Sequence, residues 1–443
     1  MDTFVYKDHK KLRCGYTTGT CAALAAQGAV RFLLTGSWKE TEEIMTPKGV
    51  PVCVSLEEKT SGDSWAECAV RKDAGDDYDV TNGILVYARA EFVKDKNFYE
   101  KVQMSHLESS GFGAAGEKPG LSPENQKQQK KANAAHQKEA LPESLVRIDG
   151  GIGIGRITKS GLDQPVGAAA INSVPRKMIR DAVYELLEEA GELRLVSITI
   201  SVPAGVEAAK KTFNPVLGIE GGISVLGTSG IVEPMSEEAL VETIRTHLNV
   251  LKAEGRKWVI AVPGNMGAGF LERYLVEHGK FCTDAHQGSN AADTDVAVEA
   301  EQMAYGELST GTEPSLLEGF MNSLVTMSNF VGKTIDLAAE LGFSGILIAG
   351  HMGKLVKIGN GIMNTHSREA DGRMDTMLSC ALSAGTEDLE LLRKIQRSNT
   401  TDEAMDHLKQ AGIIEDTINV FLKRADWHLT HRSRDEVRTG MIV

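Results

Sequence analysis

The sequence predicts an α+β unit over residues 1–225, followed by an α/β unit over 226–443 whose sheet is mostly parallel and Rossmann-like. Three observations lead there. Strand-like runs at 50–56, 65–71 and 84–90 succeed one another with only turns between them, the local order of an antiparallel sheet. Runs at 258–262 and 346–349 each stop at glycines and give way to helix-compatible text, the alternation of βα units. A glycine-rich stretch, 210–236, separates the halves and holds the boundary.

In chain order, Gly15-Tyr16-Thr17-Thr18-Gly19-Thr20 precedes the alanine-rich CAALAAQGAVRFLL, a helix with Thr18 or Thr20 as its N-cap. An acidic turn (Asp73, Asp76, Asp77, Asp79) separates the second and third runs. It lacks calcium-loop spacing, so a solvated turn is the default and a cationic ligand group the sharper alternative. Residues 109–140 are rich in Gly, Pro, Gln and Lys with few large apolar side chains, the composition of a mobile surface insertion. A helix carrying Arg176, Lys177 and Arg180 then leads to a strand at 193–202. In the second half a helix at 237–254 precedes the 258–262 strand, a helix begins near Gly269, and another spans 323–341. From about 387 onward the text reads as an amphipathic helical tail.

Lys+Arg total 48 against 61 Asp+Glu, a formal charge of −13, which argues against nucleic acid or an anionic membrane surface as a partner. An anionic small ligand is still allowed where basic groups gather locally. The six cysteines (Cys14, Cys21, Cys53, Cys68, Cys282, Cys380) show no CxxC pair and no zinc-ligand spacing, so no metal site is expected. The start of the chain lacks the apolar core of a signal peptide and no run reaches membrane-span length, so a cytoplasmic location is expected.

The most informative stretch is 341–375. The run Ile346–Ala349 breaks at Gly350-His351-Met352-Gly353-Lys354, and a strand that opens a helix at glycines presents backbone N–H groups to anions. Lys354, Lys357, Arg368 and Arg373 lie close by in sequence. The loop lacks the four-residue spacer and Ser/Thr of a phosphate loop, which disfavours an ATP-dependent ligase. Gly264-Asn265-Met266-Gly267 also follows a strand, but GxxGxG spacing departs from the dinucleotide fingerprint, so a tight turn competes with a cofactor turn. Asp284-Ala285-His286-Gln287-Gly288 misses the DxHxxG of cobalamin carriers by one residue and reads as a surface loop. His351 and His366 sit in loops where catalysis and simple backbone hydrogen bonding are balanced readings. No GxSxG elbow occurs.

Three blocks together resemble the CbiD family: GYTTGTCAALAA (15–26), KKTFNPVLGIEGGISVLGTSGIVEPMS (210–236) and GHMGKLVKIGNGIMNTHSREADGR (350–373). RKDAGDDYDVTNG (71–83) and GRITKSGLDQPVGAAAINSVPRKMI (155–179) add to them, and only the 109–140 insertion departs. The resemblance implies methyl transfer from S-adenosylmethionine to C-1 of cobalt-precorrin-5B, with cobalt present only as part of the substrate. A non-catalytic corrinoid carrier or pathway chaperone is the alternative. The substrate's carboxylates then call for a cation set: Arg176, Lys177, Arg180, Lys210, Lys211, Lys354, Lys357, Arg368 and Arg373, with Thr17, Thr18 and Thr20 as further substrate contacts. The methyl donor is expected at Gly264, Asn265, Met266 and Gly267, and the tetrapyrrole in a cleft between the units contacted by 15–20, 214–230 and 350–373. His351, His366 and Asp371 are the candidates for any accompanying proton transfer. A homo-oligomer and contacts with neighbouring pathway enzymes are both compatible with this reading.

Overall fold

The computed structural model describes residues 3–7, 9–93, 145–278 and 322–443. The insertion at 109–140 and the motif at 284–288 lie outside the described residues. Two compact units emerge, Met1–Lys159 with Asp163–Met235, and Ser160–Leu162 with Ser236–Val443. The division falls after Met235, within the glycine-rich stretch 210–236.

In the first unit, β1 (Phe4–Lys7) and β2 (Lys10–Arg13) form a hairpin, and β3 (Gly15–Tyr16) leads into α1 (Thr18–Thr35). Then come β4 (Thr41–Met45), β5 (Pro51–Ser55), β6 (Glu57–Ser61), β7 (Trp65–Arg71) and β8 (Leu85–Phe92). After these follow β9 (Val146–Gly150), β10 (Arg156–Ile157), α2 (Ser173–Ala190), β11 (Val196–Ser201), α3 (Gly205–Ala209), β12 (Ile219–Glu220) and β13 (Ile231–Val232). The main sheet runs β6-β7-β8-β11-β9 and is antiparallel except for the β11–β9 pair. Its buried positions on β7 and β8 are small (Ala66, Cys68, Val70, Val86, Ala88, Ala90), which lets α1 lie close. A Cβ on Gly28 of α1 would stand 2.5 Å from Leu56 Cδ1. The N-cap of α1 is Thr17, not Thr18 or Thr20: its backbone is extended and its hydroxyl accepts from the Thr20 N–H, a cap that contributes about 1 kcal/mol. Strands β4 and β6 were illegible because charges interrupt their alternation: TEEIM buries Glu42 against Arg31, and EEKTS carries Glu57, Glu58 and Lys59 in succession.

The acidic turn is partly solvated, as expected, but its carboxylates also make internal ties. Asp73 pairs with the Arg13 guanidinium at 2.5 and 2.8 Å, Asp76 accepts from the Arg13 N–H, and Asp77 accepts from the Met235 N–H. Asp79 accepts from Lys72 Nζ at 3.0 Å, and that lysine is fully buried. Each of these four carboxylates thus serves as an internal tie.

In the second unit, α4 (Glu237–Ala253), β14 (Trp258–Val262), α5 (Asn265–His278), β15 (Leu324–Thr326), α6 (Val331–Glu340) and β16 (Gly345–Ala349) come first. Then follow α7 (Met352–Leu355), a 3-10 turn (Val356–Asn360), α8 (Arg373–Ser383), α9 (Leu389–Arg397), α10 (Thr401–Gln410), α11 (Ile414–Ser433) and β17 (Arg438–Ile442). The sheet is wholly parallel in the order β15-β14-β16-β17. Alternate residues divide its faces: Val259, Ala261, Val325, Ile346 and Ile348 meet the helical bundle, while Ile260, Val262, Leu324, Leu347 and Ile442 meet α5. Among the described residues no helix is long and apolar enough to cross a membrane.

Three expectations change here. The span 323–341 is a strand, a turn and a helix rather than one helix, since Val325 and Thr326 pair with β14. The helix expected near Gly269 starts at Asn265. The helical tail ends in β17, whose short apolar run at Met441-Ile442 completes the sheet.

Asp79→Asn should cost about 3 kcal/mol in urea unfolding, because it strands a buried ammonium; a change below about 1 kcal/mol would show that Lys72 finds another acceptor. Arg13 hydrogen bonding holds the Asp73 carboxyl below its usual range, and Lys72 does the same for Asp79 against the opposing effect of burial. Their stabilisation is therefore full above the ordinary carboxylate range and lost as pH falls through the lowered values. Urea midpoints across acid pH should decline in the parent protein and less steeply in Asp79→Asn.

Candidate active site

In the second unit, parallel pairing brings the carboxyl ends of β14, β15 and β16 side by side. Their following turns are Pro263-Gly264, Met327-Ser328-Asn329 and Gly350-His351. A Cβ on Gly350 would lie 2.9 Å from Pro263 Cδ, so the first and third turns abut only because residue 350 is glycine. The loop after the 3-10 turn joins them: the Thr365 N–H donates to Asn329 O at 2.9 Å, and the Gly332 N–H to Met363 O at 3.0 Å. Turn 263–267, Asn329, His351, Lys354, Thr365 and His366 thus collect along one edge of the sheet.

The backbone of GHMGK is a weaker anion cradle than its sequence suggests. Helix α7 is a single turn, and the Gly353 N–H is already bonded to His351 Nδ1 at 3.1 Å. Attraction for an anion must come from side chains. Lys354 is exposed, with Nζ donating to Asn329 Oδ1 at 3.2 Å. Lys357 is different: it is 3% exposed and its ammonium donates to Thr365 O and Ala370 O. Burial lowers its pKa, and its charge faces inward to hold the 365–370 loop. Lys357, expected among the substrate cations, is a loop tie here.

Hydrogen bonding fixes the tautomers of both histidines. His351 Nδ1 accepts from Gly353 N–H and His366 Nδ1 accepts from Arg368 N–H, each at 3.1 Å. A lone pair engaged by an amide leaves the ring proton on Nε2, so each neutral imidazole presents an N–H donor. His351 Nε2 stands 3.6 Å from Asp402 Oδ1, too far for a full hydrogen bond. Asp371 is gripped by Arg373 at 2.5 and 3.0 Å, and that hydrogen bonding holds its carboxyl below the usual range. Each histidine thus presents its Nε2 side outward, and Asp371 is paired with Arg373.

The cofactor turn is altered by the early start of α5. Asn265, Met266 and Gly267 belong to its first turn, while Gly264 lies outside it at φ +101° with nothing within 4 Å of a Cβ position. Asn265 and Met266 are exposed, and Gly267 packs against the Pro263 ring.

The remaining expected residues belong to the first unit and are largely engaged by its own backbone. Thr20 Oγ1 donates to Gly230 O at 2.6 Å, and the Thr17 N–H donates to the same oxygen at 3.1 Å. Thr18 Oγ1 accepts from the Leu226 N–H at 3.0 Å, and all three threonines are buried. They clasp the 226–230 loop instead of presenting hydroxyls to a ligand. Arg176 donates to the carbonyls of Ile171, Ile148 and Ala169, and burial lowers its pKa. Lys177 pairs with Asp181 and Lys210 with Glu207; Lys211 is exposed. The sequence reading missed Asn329 and Asp402, which lie in no motif; their only signal is position just past a strand and at the start of a helix.

Fold and edge define an α/β protein whose parallel sheet gathers glycine turns and side-chain donors at its carboxyl end. Family models described as CbiD match residues 5–129 and 126–234, and one described as CbiD, C-terminal domain, matches 364–443. A curated relative from Ruminiclostridium cellulolyticum is 36% identical over 444 aligned positions, covering 100% of this chain and 91% of its own. Another, from Methanocaldococcus jannaschii, is 33% identical and covers 97% of this chain and 92% of its own. Both are named cobalt-precorrin-5B C(1)-methyltransferase. The crystal structure of a cobalamin biosynthesis protein (cbiD) from Archaeoglobus fulgidus aligns at 22% identity and a TM-score of 0.35, covering 84% of this chain and 87% of that one. The chain belongs to the CbiD family.

Thr20→Val tests the clasp. Losing the donor to a buried carbonyl should cost about 1–2 kcal/mol on thermal unfolding with KM unmoved. A raised KM at unchanged Tm would return the hydroxyl to the substrate.

Proposed function

We propose that the chain methylates C-1 of cobalt-precorrin-5B with S-adenosylmethionine, giving cobalt-precorrin-6A in anaerobic cobalamin biosynthesis. The observation that carries this is similarity over the whole chain to relatives bearing that activity's name, at 36% identity for the Ruminiclostridium cellulolyticum protein. The work would take place in the cytoplasm, where the free thiols of Cys14, Cys21, Cys53, Cys68 and Cys380 stay reduced.

The Rossmann-like reading of the second unit puts ligands beyond the carboxyl ends of its strands. Gly264 suits the methyl donor, since open space lies where a side chain would stand. Asn265 and Met266, exposed in the first turn of α5, would flank it. When bound, S-adenosylmethionine supplies a methyl carbon that bonds to C-1 as its bond to sulfur breaks, the electron pair leaving on sulfur. The protein's task is alignment.

Alignment falls to donors. Lys354 and Arg368 hold substrate carboxylates, and His351 and His366 add Nε2–H donors to the same set. Asp371 keeps Arg373 oriented, and its lowered pKa makes it a poor base near neutrality. Such an arrangement lets a chain of charge −13 bind a polyanion, because local donors matter more than net charge at contact distance.

Incubation with cobalt-precorrin-5B and methyl-labelled S-adenosylmethionine, followed by mass measurement, should show one methyl gained at C-1. Tetrapyrrole binding with no gain of mass would make the protein a carrier. Gly264→Val, checked for folding by its Tm, should weaken S-adenosylmethionine binding in calorimetry about tenfold or more; parent affinity would move the methyl donor elsewhere.

His351→Asn separates anchor from base. Asparagine keeps the cap of α7 through its Oδ1, but its amide N–H groups lie nearer the backbone than the outward Nε2–H and cannot take a proton. An anchor predicts a raised KM with kcat nearly retained, whereas a base predicts a kcat loss on the order of 10²–10⁴.

A further inference from the structure

We infer that Asn329 is a positioning residue for Lys354: a neutral brace that fixes where the ammonium points without cancelling its charge. The inference rests on the carboxylate-binding role proposed for Lys354. Asn329 Oδ1 accepts from Lys354 Nζ at 3.2 Å and from Thr365 Oγ1 at 3.3 Å. A lysine only donates, so the amide oxygen must face it and the NH2 must face away. The backbone around the brace is held on both sides. Asn329 O accepts from the Thr365 N–H, Met327 N–H donates to Val262 O, and Ser328 occupies the left-handed region at φ +54°. A serine kept in that region by its neighbours is a mark of a turn whose exact course is imposed by its surroundings.

The choice of amide over carboxylate is the informative point. Many other cations of this chain are held by a carboxylate: Lys72 by Asp79, Arg373 by Asp371, Lys210 by Glu207. Lys354 instead meets an uncharged acceptor, so one N–H is used for aim while the full charge and two further N–H groups stay available. An aspartate would hold the lysine as well or better, but would spend its attraction for a substrate carboxylate. A loop tie alone has no need of that distinction.

Asn329→Asp preserves both acceptor contacts and changes only charge. It should raise KM for cobalt-precorrin-5B about tenfold with kcat little changed, and leave Tm equal or higher. In a Lys354→Gln background, which itself raises KM, Asn329→Ala should have no further effect, and Asn329→Asp should keep only the smaller rise that its own charge causes. Should Asn329→Asp fail to fold, Asn329→Ala, which frees the ammonium, takes its place: it too should raise KM alone and be silent beside Lys354→Gln. Parent KM in either Asn329 variant, or an equal effect with and without Lys354, overturns the inference while leaving the carboxylate role intact. Parent KM in Lys354→Gln overturns that role, and this inference with it.

Discussion

Both units depend on backbone approaching closer than a Cβ permits. A side chain on Gly15 would fall 2.3 Å from the carbonyl carbon of Ala74, and one on Gly19 would fall 3.1 Å from Leu226 O. Through these contacts β3 and the start of α1 lie against the acidic turn on one side and the 226–230 loop on the other. Ile171 bridges to Val225, and a Cβ on Gly19 would also meet Pro175, which brings the start of α2 into the same knot. Three stretches far apart in sequence thus meet around residues 15–20. In the second unit Gly350 does similar work, letting two strand-to-helix turns stand side by side.

Much of this was legible in the sequence. Alternation of strands and helices in the second half follows from apolar runs that end in glycine, a pattern set by local chain chemistry. The short strands β4, β6 and β15 were lost because their residues are charged, or too few to establish a period. The terminal strand β17 could not be read at all, since only its partner β16 makes its short run a strand. Contacts among the motif blocks were equally hidden: nothing local tells a threonine whether its hydroxyl meets a ligand or a carbonyl two hundred residues away.

For the site, residue type was legible and direction was not. Lys354 and Lys357 are three positions apart in one motif, yet one ammonium is exposed and the other is buried against two carbonyls. His351 and His366 looked equally able to give or take a proton until the amides bonded to Nδ1 settled which nitrogen carries hydrogen. The acidic turn shows the same limit from the other side. Its carboxylates were visible, but their partners Arg13, Lys72 and the Met235 amide lie elsewhere in the chain.

The last strand has a consequence for the order in which the molecule is built. The Ile442 carbonyl accepts from the Gly350 N–H, so the turn that carries His351 and Lys354 is secured by a residue delivered only after α8–α11 have run their course. Pairing across so long a separation is slow to form and comes late. The turn that carries His351 and Lys354 therefore depends on a contact of high sequence separation. Without β17, the flank of β16 would stand open to another strand.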